Sequence, residues 1–206
     1  MISLQVDKLT KKFNRHIIFS GLCFEHAGGV LGISGANGSG KSTLMKCLAY
    51  LLRPNSGTLT WKQGEQVMDQ KQVKAHMGYA APYINLYSEL SVEENLRFLV
   101  EAGGRAAQGD RLSALLEKVQ ILDLRDQLYG SLSTGQQQRA KLAASLVREP
   151  QILMLDEPGS NLDEKGHTLV SEIVKEAAKA GTLVFLASND PDEISLCNTV
   201  LNVGEG

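Results

Sequence analysis

Residues Gly35-Ala36-Asn37-Gly38-Ser39-Gly40-Lys41-Ser42 fit the pattern G-x-x-x-x-G-K-[ST]. An apolar run, Val30-Leu31-Gly32-Ile33, precedes them and reads as a buried strand, and Ser42-Thr43-Leu44-Met45-Lys46-Cys47-Leu48 reads as the opening of a helix. Strand, glycine loop and helix together form the setting in which such a loop holds phosphate. The glycines let the backbone turn tightly and bring its N–H groups close to an anion. The first turn of the helix aims unpaired N–H groups and a positive dipole end at the same point. Lys41 adds a mobile point charge for the β- and γ-phosphates. Ser42 offers a hydroxyl to Mg²⁺, which prefers oxygen ligands. The plainer reading is a glycine-rich turn before a helix; the lysine and serine in register with it favour phosphate.

A second set of reactive residues lies far along the chain. Gln151-Ile152-Leu153-Met154-Leu155-Asp156-Glu157-Pro158 reads as a buried strand that ends in two carboxylates. The C-terminal edge of a strand is where open α/β sheets place ligand chemistry. Two acids capping the next segment would be the bland explanation. With a phosphate loop upstream, Asp156 suits the shell of Mg²⁺ and Glu157 suits an attacking water.

The elements that position these residues follow from hydrophobic period and punctuation. Ile2 to Val6 reads as an edge strand, and Lys11-Lys12-Phe13-Asn14 as a polar turn. His16–Phe19 and Leu22–His26 read as a second strand region, with His16 and His26 as surface residues. Thr58–Trp61 and Met77–Ala81 read as strands, the latter ended by Pro82, with a short helix possible in 62–76. Ser91 with Glu94 forms a capping box for a helix from Val92 to about Ala102. Asp110 is placed to cap a second helix through about Val119, with Leu112, Leu115, Leu116 and Val119 on one face. A third helix opens at Leu132–Gln136 and runs to about Arg148. Glu164–Ala180 reads as a helix, Thr182–Ala187 as a strand, Asp192–Ile194 as a short helix and Thr199–Val203 as a last strand. Helices thus crowd 88–148 while the flanks are rich in strands. The expectation is one α/β domain over 1–206, with a nucleotide-binding core from 1–87 and 149–206 and a helical subdomain at 88–148.

Composition bounds the rest. The 206 residues are 43% hydrophobic and 21% charged, with a net charge of −2. That length supports a real core, and that charge supplies no basic field for nucleic acid or anionic lipid. Three scattered cysteines, Cys23, Cys47 and Cys197, show no zinc-type spacing and suit a reducing compartment. No leader pattern opens the chain and no apolar run approaches membrane length. The expectation is a soluble chain whose membrane role, if any, runs through a partner.

The motifs taken together resemble the ATP-binding cassette ATPases, the motor subunits of ABC transporters. Gly35 to Ser42 matches the Walker A loop, and Ile152 to Asp156 matches Walker B, with Glu157 at the catalytic-glutamate position. Leu132-Ser133-Thr134-Gly135-Gln136 resembles the signature L-S-G-G-Q, and Ser160-Asn161-Leu162-Asp163 resembles the D-loop. Phe13 falls where the family stacks an aromatic on adenine, a role that suits any π-face. The short chain and its Phe19-Ser20-Gly21-Leu22 opening are similar, over a more limited stretch, to the compact haem-exporter ATPases of cytochrome c maturation.

The resemblance implies a P-loop NTPase fold: a RecA-like core with a mostly parallel sheet, an N-terminal antiparallel β subdomain, and a helical insert carrying the signature. It implies ATP and Mg²⁺ as ligands. Asn37, Gly38, Ser39, Gly40, Lys41, Ser42 and Thr43 would bind the nucleotide with Phe13. Ser42 and Asp156 would serve the metal, and Glu157, Lys41 and the residue at position 189 would serve catalysis. It implies a head-to-tail pair of cassettes, identical or not, in which Leu132–Gln136 of one chain caps the ATP on the other, with Ser160 and Asp163 as the D-loop residues. It also implies a separate transmembrane permease subunit, and a place at the cytoplasmic face through that partner.

Three positions depart from the pattern. Thr134 replaces the first signature glycine, and a β-branched residue resists positive φ, so strain is expected there. Pro82 stands where the family has a glutamine, with Asn85 as a nearby substitute amide. Asn189 stands where the family has a histidine, and an amide carries neither proton nor positive charge. Binding is expected to survive these changes, and hydrolysis to be slow. Three readings stay open: a hydrolysing transporter subunit, an ATP-dependent clamp or regulatory half-site, and a soluble cassette protein of translation or DNA repair. The last is disfavoured by one cassette and no sustained heptads.

Overall fold

The computed structural model describes residues 1–204. The chain opens with two long strands, β1 (Ile2–Phe13) and β2 (His16–His26), and passes through β3 (Val30–Ser34) into helix α1 (Lys41–Leu48). Strands β4 (Ser56–Gln63) and β5 (Gln66–Val67), helix α2 (Gln70–Ala75) and strand β6 (Met77–Ala80) follow. Three helices come next, α3 (Val92–Ala102), α4 (Gly109–Lys118) and α5 (Thr134–Leu146). The chain ends with β7 (Ile152–Asp156), α6 (Glu164–Lys179), β8 (Leu183–Ala187), the short α7 (Pro191–Ile194) and β9 (Thr199–Asn202).

Five strands form a parallel sheet in the order β6-β7-β8-β3-β9. Four form an antiparallel sheet in the order β2-β1-β4-β5. Every residue of β7 and β8 is buried. Their side chains alternate between two cores: Ile152, Met154, Leu183 and Phe185 face the antiparallel sheet and α1, whereas Leu153, Leu155, Val184 and Leu186 face the helices. Burial on both faces is why these strands read as continuous apolar runs rather than alternating ones. Trp61 and Phe185 meet edge to face at 5.7 Å in the first core, and Trp61 Nε1 donates to the Leu48 carbonyl at 3.3 Å. Truncating either ring to Ala would cost about 3–5 kcal/mol.

Three local readings are corrected by this packing. Strand β1 is interior, paired on both sides with β2 and β4, and it extends through Lys11–Phe13 to a hairpin turn with Asn14 at φ 52°. His26 is buried, not on the surface; its Nε2 donates to the Val184 carbonyl at 3.1 Å and its ring packs edge-on against Phe185. Burial lowers its pKa, and the carbonyl partner fixes the neutral Nε2–H tautomer. Helix α4 starts from Gln108 without a side-chain cap; Asp110 lies inside its first turn, where its charge complements the dipole. The Ser91–Glu94 capping box of α3 is present, with bonds of 3.1 and 2.7 Å.

Candidate nucleotide site

Between β3 and α1 the backbone makes a loop whose last residue, Gly40, sits at φ 106° and N-caps the helix. A Cβ at Gly40 would collide with Ile18 Cγ2 of β2, so this position needs glycine for both conformation and space. The first intrahelical bond closes from Leu44 N–H to the Gly40 carbonyl at 2.8 Å. The N–H groups of Lys41, Ser42 and Thr43 precede it and are the free donors of a helix N-terminus. Above them lies a cleft of about 510 Å³ whose lining includes Asn37, Gly38, Gly40, Lys41, Ser42 and Thr43.

The floor of the cleft joins this loop to β7. Lys41 is buried; its Nζ donates to the Gly35 carbonyl at 2.8 Å and lies 3.2 Å from Glu157 Oε1. The Ser42 hydroxyl donates to Asp156 Oδ1 at 3.0 Å. Asp156 is fully buried, and its second oxygen, Oδ2, has no hydrogen-bond partner. Burial raises its pKa above the ordinary carboxylate value, Ser42 pulls it back, and the neighbouring charge of Glu157 raises it again. A buried carboxylate oxygen without a donor is costly. Beside a serine hydroxyl it makes an all-oxygen donor pair that fits Mg²⁺. Glu157 adopts φ 50°, held there by its N–H bond to the Ala187 carbonyl at 2.8 Å. A non-glycine residue in that region carries about 1–3 kcal/mol of strain, of the kind found where side-chain aim matters.

The rim is built differently. Asn189, just past β8, donates through Nδ2 to Asn37 Oδ1 of the phosphate loop at 3.0 Å. Pro82 also lines the cleft, whereas Asn85 is exposed and not among the lining residues. The Pro82 carbonyl is held by Lys141 Nζ of α5 at 3.0 Å. Sequence reasoning missed Tyr83: its ring carries Lys46 Nζ at 3.7 Å and its hydroxyl bonds that of Tyr79. Desolvation pushes both tyrosines well above their ordinary values, so they act only as neutral phenols. The Tyr79/Tyr83 pair at the end of β6 was the available signal. Ile18 was missed as well, because a strand residue gives no hint of the loop that it covers. Phe13 is 48% exposed at the end of β1, with Lys11 Nζ 4.8 Å from its ring centroid, and lies outside the cleft lining.

The signature stretch forms the start of α5. Ser133 is its N-cap, Ser133 Oγ accepts from Gln136 N–H at 3.3 Å and Gln136 Oε1 accepts from Ser133 N–H at 2.9 Å. Thr134 is the first helical residue and not among the positive-φ residues, so the expected strain is absent. A threonine is acceptable there because the first turn needs only ordinary helical angles. Gly135 faces the Asn161 carbonyl, which a Cβ would meet at 3.0 Å, so a side chain at the second position would press the Asn161 carbonyl away by a few tenths of an ångström. Leu132 is buried, whereas Ser133 and Thr134 are exposed and stand outside the cleft of their own chain. Helix α5 is tied to the floor by Gln138 Nε2 to the Pro158 carbonyl at 2.8 Å and by Arg139 to Asp163 at 3.0 Å. Asp163 also caps α6 by accepting from Gly166 N–H, and Ser160 lines the cleft.

This geometry has known counterparts. The ABC transporter profile matches residues 24–160. The chain is 35% identical over 186 residues to the "Probable multidrug ABC transporter ATP-binding protein YbhF" of Escherichia coli, covering 89% of this chain but 32% of that protein. It therefore spans about a third of that relative's length. It is 32% identical over 204 residues to the cytochrome c biogenesis ATP-binding export protein CcmA of Mannheimia succiniciproducens, covering 98% of this chain and 94% of that one. Among solved structures, the bacterial ABC transporter cassette MJ0796 shares the fold, with a TM-score of 0.86 over 97% of this chain and 94% of the other at 21% identity. A profile match through the phosphate loop, the signature helix and both carboxylates, with a relative covered almost end to end, shows that the chain belongs to the ABC transporter family as an ATP-binding protein.

Proposed function

We propose that the chain binds Mg²⁺–ATP in the cleft over Gly35–Thr43 and hydrolyses it slowly, driving a separate membrane-embedded partner from the cytoplasmic face. The observation that carries this reading is the floor itself: Lys41 paired with Glu157, and Ser42 paired with a buried Asp156 whose second oxygen has no donor. The N–H groups of Lys41–Thr43 and the Lys41 ammonium would bind the β- and γ-phosphates. Mg²⁺, held at Ser42 and Asp156, would neutralise charge on the same oxygens. Glu157 would accept a proton from the attacking water as the bond from the γ-phosphorus to the ADP oxygen breaks. No helix among the described residues is long and apolar enough to cross a membrane.

The exposed Ser133 and Thr134, outside their own cleft, support a head-to-tail pair in which the N-terminus of α5 caps ATP on the facing chain. The Gln138, Arg139 and Lys141 contacts would carry closure of that pair to the cleft and to the Pro82 segment. A regulatory half-site is the second reading. It is favoured by the neutral rim, where Asn189 bonds Asn37 and Pro82 offers no side-chain donor. ATP calorimetry and steady-state turnover, with and without membrane vesicles from the source cell, test both. Binding with a low rate that membranes stimulate supports the transporter subunit; binding with a rate that membranes leave unchanged supports the half-site; no ATP binding contradicts both.

A further inference from the structure

Beside the cleft, α6 meets the segment that leaves β8. His167 Nδ1 lies 3.6 Å from Asp190 Oδ2 and 3.9 Å from Glu193 Oε1, and the three atoms lie within 4.8 Å of one another. Each carboxylate has one oxygen directed at the imidazole. Asp190 uses Oδ1 to cap α7, accepting from Asp192 N–H at 2.9 Å, and turns Oδ2 to His167. Glu193 is 3% exposed, and its Oε1 is buried with no hydrogen-bond partner. An oxygen in that position lacks a cation or a donor, and native structures rarely leave such a group alone. Gly159 makes the approach possible: a Cβ there would collide with both Glu193 Oε1 and the His167 ring.

We propose that His167, Asp190 and Glu193 bind one divalent transition-metal ion of the zinc class, at a site separate from Ser42 and Asp156. One imidazole nitrogen with two carboxylate oxygens is a donor set for zinc in a three-ligand site with an open fourth position. Mg²⁺ prefers oxygen ligands throughout. Zinc bonds of about 2.0–2.2 Å put tetrahedral ligand atoms roughly 3.3–3.6 Å apart; the two His167 separations, 3.6 and 3.9 Å, lie close to that spacing, and with all three atoms within 4.8 Å of one another a bound ion would draw the two carboxylates together. No cysteine–histidine spacing announces the site, because one ligand comes from α6 and two from the start of α7. The half-exposed edge of His167 borders a cleft of about 550 Å³ that gives an ion access. Asp190 follows Asn189 directly, so the bound ion pins the rim residue of the nucleotide cleft to α6 and, through Asp163, to the D-loop.

The test uses the full chain, stripped with a chelator, free of nucleotide and titrated with Zn²⁺ by calorimetry. Co²⁺ absorption serves as a second readout. One ion per chain is expected, undisturbed by excess Mg²⁺. His167→Ala, Asp190→Asn and Glu193→Gln should each weaken it by about tenfold or more, and Cys23→Ser and Cys197→Ser should bind like the parent. His167 is half-exposed, so its variant keeps the test alive if the buried Glu193→Gln fails to fold. No stoichiometric Zn²⁺, loss of binding in a cysteine variant, or parent-like binding by His167→Ala would overturn the proposal and leave the triad as an ion pair.

Discussion

At the floor of the cleft, Lys41 faces Glu157 at 3.2 Å and Ser42 bonds Asp156 at 3.0 Å. At the rim, Asn189 offers a neutral amide already bonded to Asn37, and Pro82 offers a ring and a carbonyl that Lys141 holds. The two regions answer different demands. Ground-state grip on a triphosphate needs fixed charge and backbone donors, which the floor has in full. Cleavage builds charge on the phosphoryl and leaving oxygens, and a rim that can place a positive charge there lowers the barrier. On the proposed function, the difference between floor and rim would separate holding ATP from consuming it.

Removing the floor should have the largest effect. Lys41→Ala is expected to abolish detectable turnover and weaken ATP binding, read by calorimetry and phosphate release. Unchanged affinity would mean that grip does not reside in this loop. Glu157→Gln should keep ATP binding and lower turnover by about 10²–10⁴. It should also accumulate an ATP-bound dimer, visible by size exclusion, and parent-like turnover would remove Glu157 from the floor's chemistry. Asp156→Asn should cost about 10–100-fold in Mg²⁺-dependent activity. It separates function from stability, because burial raises the Asp156 pKa. A carboxyl with a raised folded-state pKa contributes stability below its unfolded pKa and loses it as pH rises through the folded value. At pH 7 the ionised group is thus a cost to the ligand-free fold. The variant should show a higher Tm than the parent at pH 7, with the gain disappearing in acid. A lower Tm at pH 7 would mean that the Ser42 bond outweighs desolvation.

The sequence disclosed the floor residues and, through their departures from the family pattern, Asn189 and Pro82 of the rim, but not every residue that reaches the site. The loop Gly35–Ser42 and the strand ending in Asp156-Glu157 were legible because each carries its own local context, strand then turn then helix, or apolar run then acids. The Ser91 cap was legible for the same reason, whereas the Ser133–Gln136 capping box at the start of α5 was not read from the sequence. Burial of His26 was not, since β2 reads half-exposed and only packing against Phe185 from β8 turns that ring inward. Tyr83 and Ile18 reach the site through tertiary approach, from segments whose local pattern is that of an ordinary turn and strand. Strain at Thr134 was expected from the residue type and is absent because the position is helical.

The rim is tested most directly by Asn189→His, with kcat and KM measured for both proteins at matched Mg²⁺ across pH 6–8. The imidazole restores a chargeable donor next to the phosphate loop, in place of the amide that bonds Asn37 at 3.0 Å. A recovered donor of this kind should raise kcat by about tenfold, or about 1.4 kcal/mol of barrier, with the gain largest toward pH 6, where more imidazolium is present. KM should stay near the parent value, because on this account the grip comes from the floor rather than the rim. No gain in kcat at any pH, or a change confined to KM, would contradict the division of the cleft into a floor that holds ATP and a rim that sets its turnover.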